Sequence, residues 1–175
     1  MIFEAFGDGS AQTQMDTPTD RDLRYLRRAI ALSALAKADG KHPFAALIVD
    51  DSDQVLAEAR NAFGWPDGDA TGHAELVAVH KTSRRFPPRR LAQATLYTSA
   101  EPCAMCAGAV YWSGIARVVY ALSEMRLLEL TGDHPENPTL ALPCRDVFAR
   151  GQRPIAVVGP LLEAEAAAPH IGFWR

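Results

Sequence analysis

Residues 94–121 read ATLYTSAEPCAMCAGAVYWSGIARVVYA. Ala94 to Ser99 and Ile115 to Ala121 are rich in β-branched and aromatic residues, so both are expected to be strands. Between them, Cys103 to Ser113 has the length and composition of a helix. Pro102 stands just before it, where proline is tolerated because the first helical amides need no intrahelical partner. A strand, a helix and a second strand in immediate succession imply a right-handed crossover with the two strands parallel. That unit places the chain in the α/β class.

The flanks extend the pattern. Upstream, Thr19 or Asp20 can cap a helix on which Leu23, Leu26, Ile30 and Ala34 recur at helical spacing, ended by Asp39-Gly40. Phe44 to Val49 is a near-continuous apolar run suited to a buried strand. Asp50 to Asp53 turns the chain into Val55 to Ala59, its hairpin partner. A loop from Asn61 to Gly72 leads to a helix over His73 to Ser83, with Leu76, Val77, Val79 and His80 as its buried side. Downstream, Ser123 to Leu130 is helical, Thr131 to Pro143 is a Pro-rich loop, Arg145 to Arg150 is a short helix and Ile155 to Gly159 the last strand. Leu161 to Ala168 is a final helix that Pro169 ends. The order αββαβαβαβα predicts a three-layer α/β/α sandwich around a five-stranded mixed sheet, with the hairpin beside a parallel section. Residues 1–20, polar and rich in Gly, Thr and Asp, are expected to form a flexible arm, and 21–175 a single domain.

At 175 residues the chain can bury a substantial core, and 48% apolar with 22% charged residues is ordinary for a soluble globular protein. The formal charge of −3 argues against a broad polyanion-binding surface, so nucleic acid is not expected as a partner. The one basic run, Arg84-Arg85 and Arg89-Arg90 around Pro87-Pro88, reads as a solvated loop or a short phosphate contact. No apolar run is long enough to cross a bilayer, and the start has no signal-peptide pattern. Three cysteines, two of them in a metal-like motif, argue against a disulfide framework and for a cytoplasmic setting.

The chemistry lies in His73-Ala74-Glu75 and Pro102-Cys103-Ala104-Met105-Cys106. Cys103 and Cys106 are three apart, so one helical turn puts both sulfurs on one face. The helix N-terminus at Cys103 favours its thiolate. If the helices headed by His73 and Cys103 lie side by side, one Zn²⁺ can take His73, Cys103 and Cys106. That is one ligand short of a closed structural site and leaves a position for water. Each half alone has duller explanations. A single His-x-Glu is common on helices, and a single Cys-x-x-Cys could be a redox pair or half of a structural knuckle. A structural zinc would need a fourth ligand, for which Cys144 and His134 are available. Glu75 weighs against this alternative: a carboxylate has no purpose beside a closed site and is well placed beside an open one.

The two halves together resemble the H-x-E…P-C-x-x-C signature of zinc-dependent deaminases. The chain is similar to the cytidine deaminase-like superfamily over nearly its whole length. Within it, Ser99-Ala100-Glu101-Pro102-Cys103-Ala104-Met105-Cys106 resembles the branch that holds guanine deaminases and tRNA adenosine deaminases. The resemblance implies a helix between the fourth and fifth strands, which makes them parallel. It also implies Zn²⁺ as cofactor, Glu75 as the proton carrier of a hydrolytic deamination that releases ammonia, and a homodimer. Ala45 departs from the Gly that relatives often carry, which should affect packing more than chemistry. Asn61 resembles the family's base-reading asparagine in position; its amide could equally support a turn. Phe63 and Trp65 could stack on a ring or pack in the core, and Phe44 could face the pocket or pack. Asp133 and Glu136 are candidates for a late carboxylate that reads the base. The aromatic tail Phe173-Trp174 could cap its own site, cap a neighbour's or simply dock. The implied substrate is a free amino-substituted base, guanine first, or a related purine, aminopyrimidine or aminotriazine. The alternatives are adenosine in tRNA and a non-catalytic zinc-stabilised scaffold.

Overall fold

In the computed structural model, residues 17–63 and 68–174 are described. Most of the expected N-terminal arm, and Trp65, lie outside them. The first helix, α1 (Asp20–Ala38), is followed by strands β1 (Ala45–Val49) and β2 (Val55–Arg60), helices α2 (Ala74–Ser83) and α3 (Pro88–Leu91), and strand β3 (Thr95–Ala100). Then come α4 (Ala104–Ser113), β4 (Arg117–Leu122), α5 (Glu124–Thr131), α6 (Cys144–Phe148), β5 (Ala156–Val158), α7 (Glu163–Ala167) and a 3₁₀ turn (Ala168–His170). The sheet runs β2-β1-β3-β4-β5. β1 is antiparallel to β2 and β3, while β3–β4 and β4–β5 are parallel. The mixed five-stranded sheet and its parallel last pair therefore agree with expectation. No helix among the described residues is long and apolar enough to cross a membrane.

Alternation along the strands makes the three layers. On one face, Ala46, Ile48, Leu96, Val118 and Tyr120 pack with residues of α2, α4 and α6. On the other, Leu47, Val49, Tyr97, Val119 and Ala121 pack with Tyr25, Leu26 and Ala29 of α1 and Ala166 and Ala167 of α7. Both faces of the central strands are buried, so their sequences read as continuous apolar runs rather than alternating ones.

Several local expectations need correction. Helix α1 buries Asp22, Tyr25, Leu26, Ala29, Ser33 and Ala36, whereas Ala34 is exposed. Polar Asp22 and Ser33 sit on the buried stripe and disguise it. In α2 the hidden side is Ala74, Glu75, Ala78, Val79 and Thr82, and His80 faces solvent. The basic run contains a helical turn, α3, which proline can start. Its Arg90 is paired with Asp50 at 2.7 Å. The last α-helix does end before Pro169, at Ala167, but the chain goes on into a 3₁₀ turn that contains this proline.

The buried polar residues of α1 are fully engaged. Thr19 and Asp22 form a reciprocal capping box. The Asp22 carboxylate also accepts from Arg117 Nη1 and Nη2 at 2.6 and 2.9 Å and from the Tyr97 hydroxyl at 3.0 Å, pinning α1 to β3 and β4. Burial alone would raise the Asp22 carboxyl, but Arg117 and the Thr19 amide outweigh it and hold it below its ordinary value. Because its folded pKa is lowered, the group contributes stability that is present above its unfolded pKa and lost as pH falls through the folded one. Asp22→Ala should cost about 3–5 kcal/mol near neutral pH, since it removes the buried carboxylate that balances the largely covered Arg117 guanidinium. Urea melts at pH 7 and pH 3 should show the variant's deficit shrinking at the acid end.

Candidate active site

His73 and Cys103 are the N-cap residues of α2 and α4. These helices pack together on one face of the sheet, with the small, fully buried Ala74, Ala78 and Ala107 in their shared core. The two N-termini thus meet, and Cys106 follows one turn into α4. Gly114, at φ 88°, ends that helix in the left-handed conformation.

One donor atom each from His73, Cys103 and Cys106 lies within 4.8 Å of the other two. Nδ1 of His73 is 3.6 Å from Sγ of Cys103. Tetrahedral zinc, with Zn–S near 2.3 Å and Zn–N near 2.0–2.1 Å, requires about 3.6 Å between such a pair. Two sulfurs and an imidazole at that spacing suit zinc in chemistry as well as in size. Neither Cys144 nor His134 joins the cluster. Cys144 is buried in the core beside Phe148, and His134 lies on the surface against the Trp174 ring. Among the described residues the cluster offers three candidate ligands and no fourth. The Cys103 thiol, hydrogen-bonded by Cys106 and by His73, is held down to about 4, and the shared hydrogen bond pushes Cys106 up.

Glu75 is only 5% exposed. Its Oε1 accepts from the Thr98 hydroxyl at 2.6 Å, and its Oε2 lies 3.7 Å from Sγ of Cys106. Thr98 on β3 therefore holds one carboxylate oxygen and turns the other toward the ligand cluster. Burial raises the Glu75 carboxyl, partly offset by Thr98 and His73.

A cavity of about 440 Å³ opens over this cluster. Asn61, Phe44, Phe63 and Glu136 all line it, whereas Asp133 does not. Asn61 is buried, and its Oδ1 accepts the Phe63 amide at 2.7 Å, leaving the side-chain NH₂ as its available group. Asn61 thus supports a turn, as one of its two readings expects, and also lines the cavity. Glu136 is tied through Oε2 to Nε2 of His42 at 3.0 Å. His42 stacks on Phe63 at 4.6 Å and lies beside Phe173 and Trp174. The aromatic tail therefore docks on its own chain, behind His42, and is not in the cavity wall.

Four residues of the site are not singled out by their sequence context. Thr98 and His42 are two. Glu101, a third, is a buried carboxylate whose Oε2 accepts the Glu124 amide at 3.1 Å and whose Oε1 accepts the Cys144 amide at 3.0 Å. It joins the positive N-terminal ends of α5 and α6. Its place in Glu101-Pro102-Cys103 is the one signal that could have marked it. The fourth is Glu124, buried in the cavity wall and raised to about 7 by burial and by the nearby Cys103 and Glu101.

Comparison with known proteins accords with this geometry. The family model of the cytidine and deoxycytidylate deaminase zinc-binding region matches residues 19–122. A probable cytosine deaminase of Schizosaccharomyces pombe is 47% identical over 156 residues, spanning 89% of this chain and 94% of that protein. A tRNA-specific adenosine deaminase of Haemophilus influenzae is 36% identical over 105 residues, 60% of each chain. Among solved structures, a guanine deaminase from Nitrosomonas europaea superposes with a TM-score of 0.71 at 25% identity, covering 98% of this chain and 96% of that one.

Proposed function

Since the chain belongs to the cytidine and deoxycytidylate deaminase family of zinc-dependent hydrolytic enzymes, we propose that its substrate is a free, uncharged amino-substituted base. The observation that carries this reading is the cavity wall. Among its described residues none is Lys or Arg, while Glu75, Glu101, Glu124 and Glu136 all contribute. Such a wall repels phosphate, whereas recognition of RNA draws on neutralised phosphates. Near-complete alignment with a probable cytosine deaminase supports cytosine ahead of guanine, reversing the order expected from sequence. The fold neighbour that deaminates guanine keeps guanine second.

His73, Cys103 and Cys106 would hold the zinc. When bound there, zinc supplies acidity, lowering the pKa of water from about 16 to about 7. Glu75, with Oε1 held by Thr98, takes a proton from water on Oε2 and delivers it to a ring nitrogen. It later protonates the departing amine; a C–O bond forms, the C–N bond breaks and ammonia leaves. Asn61 offers its NH₂ to an acceptor on the base edge, and Phe63, braced by His42, bounds the ring.

The test is ammonia release by the zinc-loaded protein from cytosine, guanine, adenine, an aminotriazine and tRNA. Turnover of cytosine or guanine with tRNA inert is the expected result. Activity on tRNA alone would overturn the free-base reading.

The same reading includes a homodimer. Trp112 is 85% exposed and Met105 37% exposed, two turns apart on one side of α4. Large apolar groups in such a stripe suit a second copy. Trp112→Glu should convert a dimer to a monomer in light scattering, with the circular dichroism spectrum unchanged.

A further inference from the structure

The four carboxylates of the cavity are not equivalent. Both oxygens of Glu101 are taken by backbone amides. One oxygen of Glu75 is held by Thr98, and one of Glu136 by His42. Glu124 is 9% exposed, and among the described residues its carboxylate has no hydrogen-bond or ion-pair partner, although it lines the cavity. Its oxygens open onto the cavity, so a molecule that fills the cavity shuts them off from solvent and must itself offer them a donor, since a carboxylate buried without one is costly. Its placement is also built in. Glu124 is the first residue of α5, and Glu101 holds its backbone amide, so the start of that helix is fixed at the cavity wall.

We propose that Glu124 is a substrate-reading residue, whose carboxylate accepts N–H donors on the bound base and thereby selects bases that present them. The proposal rests on the base-deaminase reading above. Asn61 presents donors and Glu124 acceptors, so together they would read a base edge that carries both kinds of group. An analogue with its ring N–H methylated would leave Glu124 buried and unpaired, the circumstance in which a polar site discriminates most strongly.

The experiment compares wild type with Glu124→Gln and Glu124→Asp, all zinc-loaded, on the best free base and its ring-N-methylated analogue. Steady-state kinetics are paired with calorimetric binding of the base to each protein and with zinc content. In Glu124→Gln, KM and the dissociation constant should rise about tenfold to a hundredfold, because the charge is lost and one of the two acceptor oxygens becomes an NH₂ that opposes the N–H donors of the base. Preference for the parent base over the methylated one should collapse, while kcat changes less than about threefold and zinc content is unchanged. Glu124→Asp keeps the charge but withdraws the oxygens, so it should behave like Gln. Unchanged KM and preference in Glu124→Gln, or full rescue by Asp, would overturn the proposal; rescue would point to a field effect rather than contact. If wild type turned over tRNA alone, the free-base reading would fall by itself. The same variants on tRNA would then decide for Glu124, an unchanged KM overturning it. If wild type neither bound nor deaminated any of these substrates, both readings would fall.

Discussion

Glu75→Gln should leave a folded, zinc-loaded protein whose kcat is lower by about 10²- to 10⁴-fold, the range for removal of a general acid–base group. The substitution keeps the side chain's volume and leaves Thr98 an acceptor on the amide oxygen, so the buried hydroxyl stays satisfied. What disappears is the capacity of the second oxygen, the one facing Cys106, to take and return a proton. Because the loss concerns proton movement rather than binding, KM should change far less than kcat. The decisive comparison is kcat, KM and zinc content on the same preparation. Retained activity with full zinc occupancy would exclude Glu75 as the proton carrier. Thr98→Val should act in the same direction but more mildly, because it releases Glu75 without removing it.

Removal of zinc should abolish turnover and lower thermal stability together. The three candidate ligands lie where the N-termini of α2 and α4 meet, so a metal that binds the folded chain alone stabilises it by mass action. At free zinc a thousandfold above the dissociation constant the gain is about 4 kcal/mol. For a chain of this length that corresponds to roughly 8–16 °C in Tm. Cys106→Ser should reproduce the loss without chelator, since Cys106 is fully buried and serine is a poor zinc ligand. Calorimetric melts of wild type with chelator, with zinc restored, and of the variant with zinc test this. A variant that kept one zinc per chain would show that Cys106 is not a ligand.

The ligand cluster was legible because its information is local. Cys103 and Cys106 share a helical face by spacing alone, and Glu75 follows His73 by two residues at the start of a helix. The crossover over residues 94–121 was legible for the same reason, since its two apolar strands flank a helix in unbroken succession. The remainder of the site depends on partners far apart in the chain. Thr98 and Glu75 are 23 residues apart, Glu101 and Cys144 are 43 apart, and His42 and Glu136 are 94 apart. No periodicity links such pairs, and each residue alone looks like an ordinary polar side chain.

By itself, then, the sequence determined the α/β order, the metal chemistry and the carboxylate beside it, because each follows from residue type and short-range spacing. The tertiary structure decided which polar residues surround that centre. It sent Asp22 to Arg117 as a buried brace, committed Glu101 to two helix ends, tied Glu136 to His42 and left the Glu124 carboxylate facing the cavity, without a partner among the described residues. These outcomes rest on the stacking of helices against both faces of one sheet, which sets some charges beside a counterpart and others in the cavity wall. Only the packed chain distinguishes the two.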